Sequence, residues 1–327
     1  MIKIGVIGVG HLGKVHVKLL KEIPEFELVG FYDHDELNSS VVVNDYGVKR
    51  YPSFEELVND VDAIDIVTPA SSHYEYASKS IRKSKHVFIE KPISLSSEDA
   101  KKLVSLSNEA NIKGQVGQVE RFNPAFIAAK PFIKHPLFIE CQRLAQFNTR
   151  GMDVSVVLDV MIHDIDLVLS LINSPVKRIH ANGMAVIDKV SDVANARIEF
   201  DNGSVANITA SRIAMNNKRE MQIFQTDSYV NIDFLNRKTE VISLLNHHKP
   251  INGSEYNTEL MSKTGKNILK FESPMILETN ALKTELELFA DAIINNGSTP
   301  VTIEDGHYAL NIANKINDKI KITSHLK

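Results

Sequence analysis

Cysteine is nearly absent. The 327-residue sequence holds one, Cys141, so no internal disulfide can form, and no Cys/His cluster suggests structural zinc. That scarcity suits a reducing compartment, and a cytoplasmic location is expected. Long apolar runs are missing too: no stretch approaches the roughly 20 residues of a membrane span, so no membrane partner is expected. The opening run Met1-Ile2-Lys3-Ile4-Gly5-Val6-Ile7-Gly8 is apolar but short, without the charged n-region and cleavage site of a signal peptide. Basic runs and zinc-finger patterns are absent and the net charge is −4, which disfavours nucleic acid as a partner. A small phosphorylated ligand needs only a local basic pocket and stays open. Neither repeats nor low-complexity tracts occur. The Asn-x-Ser/Thr triplets at Asn202, Asn207, Asn252 and Asn296 signify only turns and strands in a cytoplasmic chain.

What is present describes an ordinary soluble globular protein, 43% hydrophobic and 24% charged. At roughly 100–200 residues per domain the length predicts two domains, large enough to bury a core without disulfides or metals.

The pattern changes near residue 120. Before it, strand-like runs at 3–9, 27–32, 48–51, 63–68, 86–89 and 113–119 alternate with helical spacing at 12–23, 35–45, 54–59, 74–83 and 97–110. That alternation predicts an α/β, doubly wound Rossmann domain over 1–120. After it, helical patterns at 123–132 and 154–172 accompany consecutive strands at 137–146, 176–186, 192–200, 204–213, 220–226, 229–234 and 240–245. Asp201-Asn202-Gly203-Ser204 is a hairpin turn. Residues 121–327 are therefore expected to form an α+β domain with a large, mostly antiparallel sheet. Residues 246–266 read as a long surface loop. Helices are expected at 279–295 and 303–319, where they can pack back on the first domain.

Gly8-Val9-Gly10-His11-Leu12-Gly13 is G-x-G-x-x-G, following the first strand and opening the first helix. The first glycine permits the tight turn, the second lets backbone approach a pyrophosphate, and the third lets helix pack on strand. Free N–H groups and the dipole of the helix N-terminus suit the phosphates. Asp33 ends the second strand 20 residues after Gly13, where a carboxylate accepts from adenosine ribose hydroxyls. A 2′-phosphate would meet like charge there, and His34, Asp35 and Glu36 supply no arginine. NAD is expected over NADP.

Two further features carry chemistry. Glu90-Lys91-Pro92 ends the fifth strand-like run, so Lys91 stands at the carboxyl edge where α/β sheets bind ligands. Asp159 and His163 are four apart in a helical pattern and share a face; Asp166 lies on much the same face and Asp164 is turned away. A zinc site is the rival reading of an i,i+4 Asp/His pair, but no further ligand motif accompanies it, and no metal is expected.

Taken in order, the glycine loop, Thr68-Pro69 with His73, Glu90-Lys91-Pro92 and Asp159-xxx-His163-Asp164-Ile165-Asp166 resemble the Gfo/Idh/MocA oxidoreductases, which include glucose–fructose oxidoreductase and inositol dehydrogenase. The resemblance extends to residues 300–316. It implies catalytic Lys91, Asp159 and His163. His163 would be the general base for a sugar hydroxyl, Lys91 would hold and polarise the oxygen, and Asp159 would tune the pair. It also implies a cis Pro92 and a Glu90 reaching toward the nicotinamide ribose. The cofactor set is then Gly8, Gly10, His11, Leu12, Gly13 and Asp33, joined by Thr68, Pro69, His73, Glu90 and Lys91. The roles suit the residue types: imidazole titrates near neutrality, and an ammonium stabilises developing alkoxide.

One departure stands out. Many family members carry Gly-Gly before the aspartate helix, where this chain has Met152-Asp153-Val154-Ser155-Val156-Val157. Residues 117–124 and 153–166 resemble the branch that oxidises the 3-hydroxyl of UDP-N-acetylglucosamine. Substrate contacts are expected from Lys91, Arg121, Asn123, Arg150, His163 and Arg212, with Lys218 and Arg219 as further cations for a diphosphate. Asn123 before Pro124 serves equally as a helix cap. An inositol or free-sugar dehydrogenase, an NAD-dependent glycosidase and a non-enzymatic NAD-binding regulator are the alternatives. The resemblance implies a homodimer or homotetramer.

Overall fold

A computed structural model describes residues 1–147, 154–187, 190–246, 257–262 and 265–324. The chain begins β1 (Ile2–Ile7), α1 (His11–Glu22), β2 (Phe26–Tyr32), α2 (Glu36–Tyr46), α3 (Phe54–Asp60), β3 (Ala63–Ile66), α4 (Ala70–Arg82), β4 (His86–Glu90), α5 (Ser97–Ala110) and β5 (Gly114–Gly117). It continues with α6 (Pro124–Ala129), β6 (Phe138–Gln146), a π-helical turn (Val157–Met161), α7 (Ile162–Leu171), β7 (Val176–Met184), β8 (Val193–Phe200), β9 (Val205–Ala214), β10 (Lys218–Phe224), β11 (Ser228–Asp233), β12 (Lys238–Asn246), β13 (Asn257–Ser262) and β14 (Gly265–Glu272). Helices α8 (Ala281–Ile294) and α9 (Ile303–Ser324) follow. Two compact units result: Met1–Val119 with Asn280–Asn311, and Glu120–Thr279 with Ile312–Lys327.

The first unit is a parallel sheet ordered β2-β1-β3-β4-β5. Strands buried on both faces read as apolar runs, as β1 and β3 do. Leu286, Phe289 and Ala290 of α8 join Val6, Leu20, Phe26 and Phe88 in one core. Side chains of Asp35, Ser53 and Ser96 cap α2, α3 and α5. Helices α1 and α4 start at Gly10 and Pro69 with no capping side chain. Their first N–H groups are therefore open to an anion at the carboxyl edge of the sheet.

The strand expected at 48–51 is a correction: only Arg50 bridges Phe31. Pro52 follows at once, and a proline cannot donate to extend the pairing.

The second unit is built on nine strands ordered β13-β14-β12-β11-β10-β6-β9-β8-β7, antiparallel except for the β6–β9 pair. Ala206, Ile208 and Ala210 of β9 lie on the buried face with Ile139, Cys141, Ile198, Met221 and Ile223, beside Ile165 and Val168 of α7. Val205 falls on the other face, with Asn207 and Thr209, and that one apolar residue obscures the alternation in the sequence. Gly203 turns the β8–β9 hairpin with a φ of 87°, open to glycine without steric cost.

Two expectations change here. Part of the predicted 246–266 loop is strand, because β13 and β14 pair in register from Asn257↔Lys270 to Ser262↔Gly265. Asn, Thr, Glu and Ser among these residues conceal the period-2 signal. The predicted helix at 154–172 opens with the π turn rather than a continuous α-helix.

Candidate active site

The glycine loop is shaped by its own sterics. Gly8 has a φ of 87°, and a Cβ there would lie 2.8 Å from the Thr68 backbone nitrogen. A Cβ on Gly13 would fall 2.0 Å from the Gly8 carbonyl oxygen. On Gly10 it would meet nothing within 4 Å. Two glycines are thus demanded by the protein itself, and the middle one by open space beside the α1 N-terminus.

That space is a cleft of about 250 Å³ lined by Gly8, Gly10, Tyr32, Asp33, Asn38, Thr68, Pro69 and Tyr76 among others. Asp33 is nearly buried. Its Oδ2 accepts from the Val9 N–H at 2.7 Å and its Oδ1 from the Asp35 N–H at 2.8 Å. The carboxylate therefore pins the glycine loop to the end of β2 while lining the cleft. His11 and Leu12 point to solvent from the first turn of α1. Lys14 ties α1 to α2 by donating to Asn38 Oδ1 at 2.9 Å.

Further along the carboxyl edge, His73 clamps two loops. It is buried, with Nδ1 2.8 Å from the Pro92 oxygen and Nε2 2.7 Å from the Thr68 oxygen. Carbonyls only accept, so both bonds form together only on an imidazolium. Burial pulls the His73 pKa below its ordinary value, and the two carbonyls oppose it. The position makes His73 a holder of the Thr68 and Pro92 turns. The Lys91–Pro92 bond is cis. Lys91 is half-buried after β4, and its N–H donates to Glu90 Oε2 at 3.1 Å.

In the second unit Asp159 lies in the π turn and His163 in the first turn of α7, both half-buried. π turns recur at functional sites. The two flanking aspartates are buried and clamped. Asp166 receives Arg121 Nε at 2.6 Å and Nη2 at 2.7 Å. Asp164 receives Arg143 Nε at 3.0 Å and Nη2 at 2.7 Å, while Arg143 Nη1 donates to Glu120 at 2.7 Å. Burial pushes the Asp164 carboxyl up, and Arg143 pulls it back. These forks anchor α7, the helix that carries His163.

The expected substrate residues divide. Asn123 caps α6 through Ala125 N–H and donates to Glu120 and the Phe234 oxygen. Arg212 is buried, donating to the Val154 oxygen at 2.6 Å with Asp192 at 3.8 Å. Arg121 holds Asp166. Arg219 is half-exposed near Glu120, and Lys218 pairs with Glu220. Arg150 lies outside the described residues. No group of three metal-ligating side chains occurs among the described residues, and no helix among them is long and apolar enough to cross a membrane.

Residues 2–118 match the model of the oxidoreductase family with an NAD-binding Rossmann fold, and residues 111–230 match the GFO/IDH/MocA C-terminal domain. The chain belongs to the Gfo/Idh/MocA oxidoreductases.

Among relatives of this family member, UDP-N-acetylglucosamine 3-dehydrogenase of Acidithiobacillus ferrooxidans is 32% identical over 88% of each chain. Its solved structure matches with a TM-score of 0.88 and 30% identity over 98% of each chain. The scyllo-inositol 2-dehydrogenase (NAD(+)) of Bacillus subtilis is 29% identical over 64% of this chain and 67% of its own. Levoglucosan dehydrogenase in complex with NADH shares the fold, with a TM-score of 0.84 and 19% identity over 98% of this chain and 97% of its own. The protein is accordingly an NAD-dependent oxidoreductase of the dehydrogenase type. Its own residues fit that cofactor: the Gly10 opening, the uncapped α1 and the Asp33 carboxylate are what a dinucleotide without a 2′-phosphate requires.

Sequence reasoning missed a buried trio. His16 of α1 lies with Nδ1 2.9 Å from Asp65 Oδ2 and Nε2 3.3 Å from Glu90 Oε1. The available signal was Asp65 itself, an acid in the middle of an otherwise apolar buried strand.

Proposed function

We propose that the chain oxidises a secondary hydroxyl of a nucleotide sugar, with the 3-hydroxyl of UDP-N-acetylglucosamine as the first candidate. The observation that carries this reading is likeness to the 3-dehydrogenase acting on that sugar over nearly the whole chain, in a protein that carries Lys91, Asp159 and His163. His163 takes the hydroxyl proton on an imidazole nitrogen. Lys91 holds the oxygen and stabilises its developing negative charge. Asp159, one helical turn before His163, orients and tunes that base. NAD, when bound, accepts the hydride from the same carbon. The arginine forks on Asp164 and Asp166 keep His163 from turning away.

A second reading is an uncharged polyol or free sugar. It is favoured by Arg121 and Arg212, which are engaged with Asp166 and with Val154 and Asp192 rather than open to a diphosphate. The test is NADH formation from UDP-N-acetylglucosamine, UDP-glucose, N-acetylglucosamine and inositols. Turnover of the first at the highest kcat/KM supports the proposal; turnover of inositols alone selects the second reading. Stoichiometric NADH release separates either from a glycosidase that regenerates its cofactor.

A homodimer or homotetramer through the sheet face opposite α7 completes the proposal, together with a cytoplasmic location suited to the buried thiol of Cys141. A 36.5 kDa monomer in sedimentation at micromolar concentration would refute that assembly.

A further inference from the structure

The trio of His16, Asp65 and Glu90 buries three ionisable side chains inside the first unit. His16 and Asp65 are fully buried, and Glu90 is nearly so. Each ring nitrogen of His16 faces a carboxylate. Ionised carboxylates only accept, so the arrangement is made for an imidazolium. Among the described residues neither Asp65 Oδ1 nor His16 Nε2 has a hydrogen-bond partner, and Nε2 meets Glu90 Oε1 at 3.3 Å as an ion pair only. A buried unmatched acceptor costs roughly 1–3 kcal/mol, and such a group asks for an explanation.

Its location supplies one. Asp33 at the end of β2 marks the adenosine side of the cleft, and the glycine loop after β1 marks the pyrophosphate. The other half of a dinucleotide then runs over the carboxyl ends of β3, β4 and β5. Glu90 is the last residue of β4. Its Oε1 faces His16 and its Oε2 accepts from the Lys91 N–H. Gly117 of β5 leaves the room: a Cβ there would lie 2.8 Å from Glu90 Oε1. Phe88 closes the trio from β4, edge-on to the His16 ring at 5.8 Å between centroids.

We infer that His16 and Asp65 are positioning residues of the cofactor site: a proton kept on His16 holds the Glu90 side chain in place, and so sets the Glu90–Lys91–Pro92 turn that meets the nicotinamide half of NAD. Asp65 does not touch that half; it acts through His16. Helix α1 carries both the pyrophosphate loop and His16, so one rigid element registers both halves of the cofactor. The charged groups acting on His16 are Asp65 from β3 and Glu90 from β4. Burial pushes the Asp65 carboxyl up and the neighbouring Glu90 adds to that, while His16 pulls it back down. Lys91 adjoins Glu90 in the chain, and His73 clamps the following Pro92. Burial works against the His16 charge, and the two carboxylates overcome it, pushing its pKa up to about 10.

The experiment needs no sugar, so it stands or falls apart from the substrate assignment. In the full-length protein, ¹⁵N-histidine NMR is expected to show His16 doubly protonated from about pH 6 to about pH 9, well past the ordinary histidine range. A neutral His16 at pH 7 overturns the proposal. NADH binding is then titrated by fluorescence over the same range. Asp65→Asn removes the closer counter-ion, so burial lowers the His16 pKa into the measured window. NADH affinity in this variant should fall about tenfold on raising the pH, the change linked to one pKa unit, while wild type shows no such inflection. His16→Gln should bind NADH weakly at every pH, with no inflection. A shifted melting temperature with NADH affinity unchanged and flat in pH would assign the trio to stability alone and overturn the proposal. Failure of both variants to fold would do the same.

Discussion

Gly10 and Gly13 lie three residues apart in one loop, and the structure predicts opposite consequences for adding the same methyl group. At Gly13 the new Cβ would sit 2.0 Å from the Gly8 carbonyl oxygen and 2.9 Å from its carbon. Backbone cannot move aside as a side chain can, so the loop and α1 must separate. Overpacking of this kind costs about 1–3 kcal/mol, and Gly13→Ala should lose that much in chemical denaturation, with NADH binding weakened as the loop distorts. At Gly10 nothing lies within 4 Å, and glycine is a poorer residue than alanine in most ordered backbone by roughly 0.5–1 kcal/mol. Gly10→Ala should therefore melt at or slightly above the wild-type temperature. On the proposed cofactor reading that methyl stands in the path of the pyrophosphate, so NADH affinity should fall by about tenfold or more, the equivalent of one lost contact of about 1.4 kcal/mol. The assay is a paired one: urea titration for stability and NADH fluorescence for affinity. Equal loss of stability in both variants, or full NADH affinity in Gly10→Ala, would refute the assignment of the middle glycine to the cofactor.

Asp33→Ala frees the Val9 and Asp35 N–H groups and loses the ribose acceptor, so NADH affinity should drop by about 1.5–3 kcal/mol, the range for hydrogen bonds to a charged group, read by isothermal titration. Arg143→Met strands Asp164 and Glu120 as buried carboxylates and should cost about 3–5 kcal/mol in denaturation; Arg219→Ala, half-exposed, should cost under about 1 kcal/mol. His16 gives a pH signature. Its folded pKa of about 10 lies above the ordinary 6.5, so its contribution to stability is fully present below pH 6.5 and is lost as pH rises through about 10. The melting temperature should fall across that window in wild type, and that component should vanish in His16→Gln. His163→Ala should lower kcat by about 10²–10⁴, the usual range for a proton-transfer group, with NADH affinity little changed, and Lys91→Ala should lower it by about 10²–10³, the range for losing one group that stabilises developing charge.

The readable parts of the sequence were those in which a local pattern carries the physics. The glycine loop was legible because three glycines, a strand before and a helix after act within a few residues. The hairpin at Gly203 and the Asn123 cap were legible for the same reason. Contacts closed by the fold were not. His16 meets Asp65 across 49 positions, and nothing beside either residue announces the other, although an acid inside Ala63–Ile66 was a visible anomaly. Arg121 and Arg212 look like ligand contacts in sequence, whereas the fold commits them to Asp166 and to the Val154 oxygen and Asp192. Strand β13 was hidden by its polar residues, whereas residues 48–51 read as a strand and form a single bridge, Phe31 to Arg50. The π turn before His163 leaves no sequence signature that hydrophobic spacing can register.

The most direct test of the proposed oxidation follows the hydrogen. UDP-N-acetylglucosamine carrying deuterium at carbon 3 is incubated with NAD and the protein, and the reduced cofactor is weighed by mass spectrometry. One deuterium in the reduced nicotinamide, formed by wild type and lost with His163→Ala, is the predicted result. Reduced cofactor without deuterium, or none formed from this sugar while another hydroxyl compound is oxidised, would contradict it.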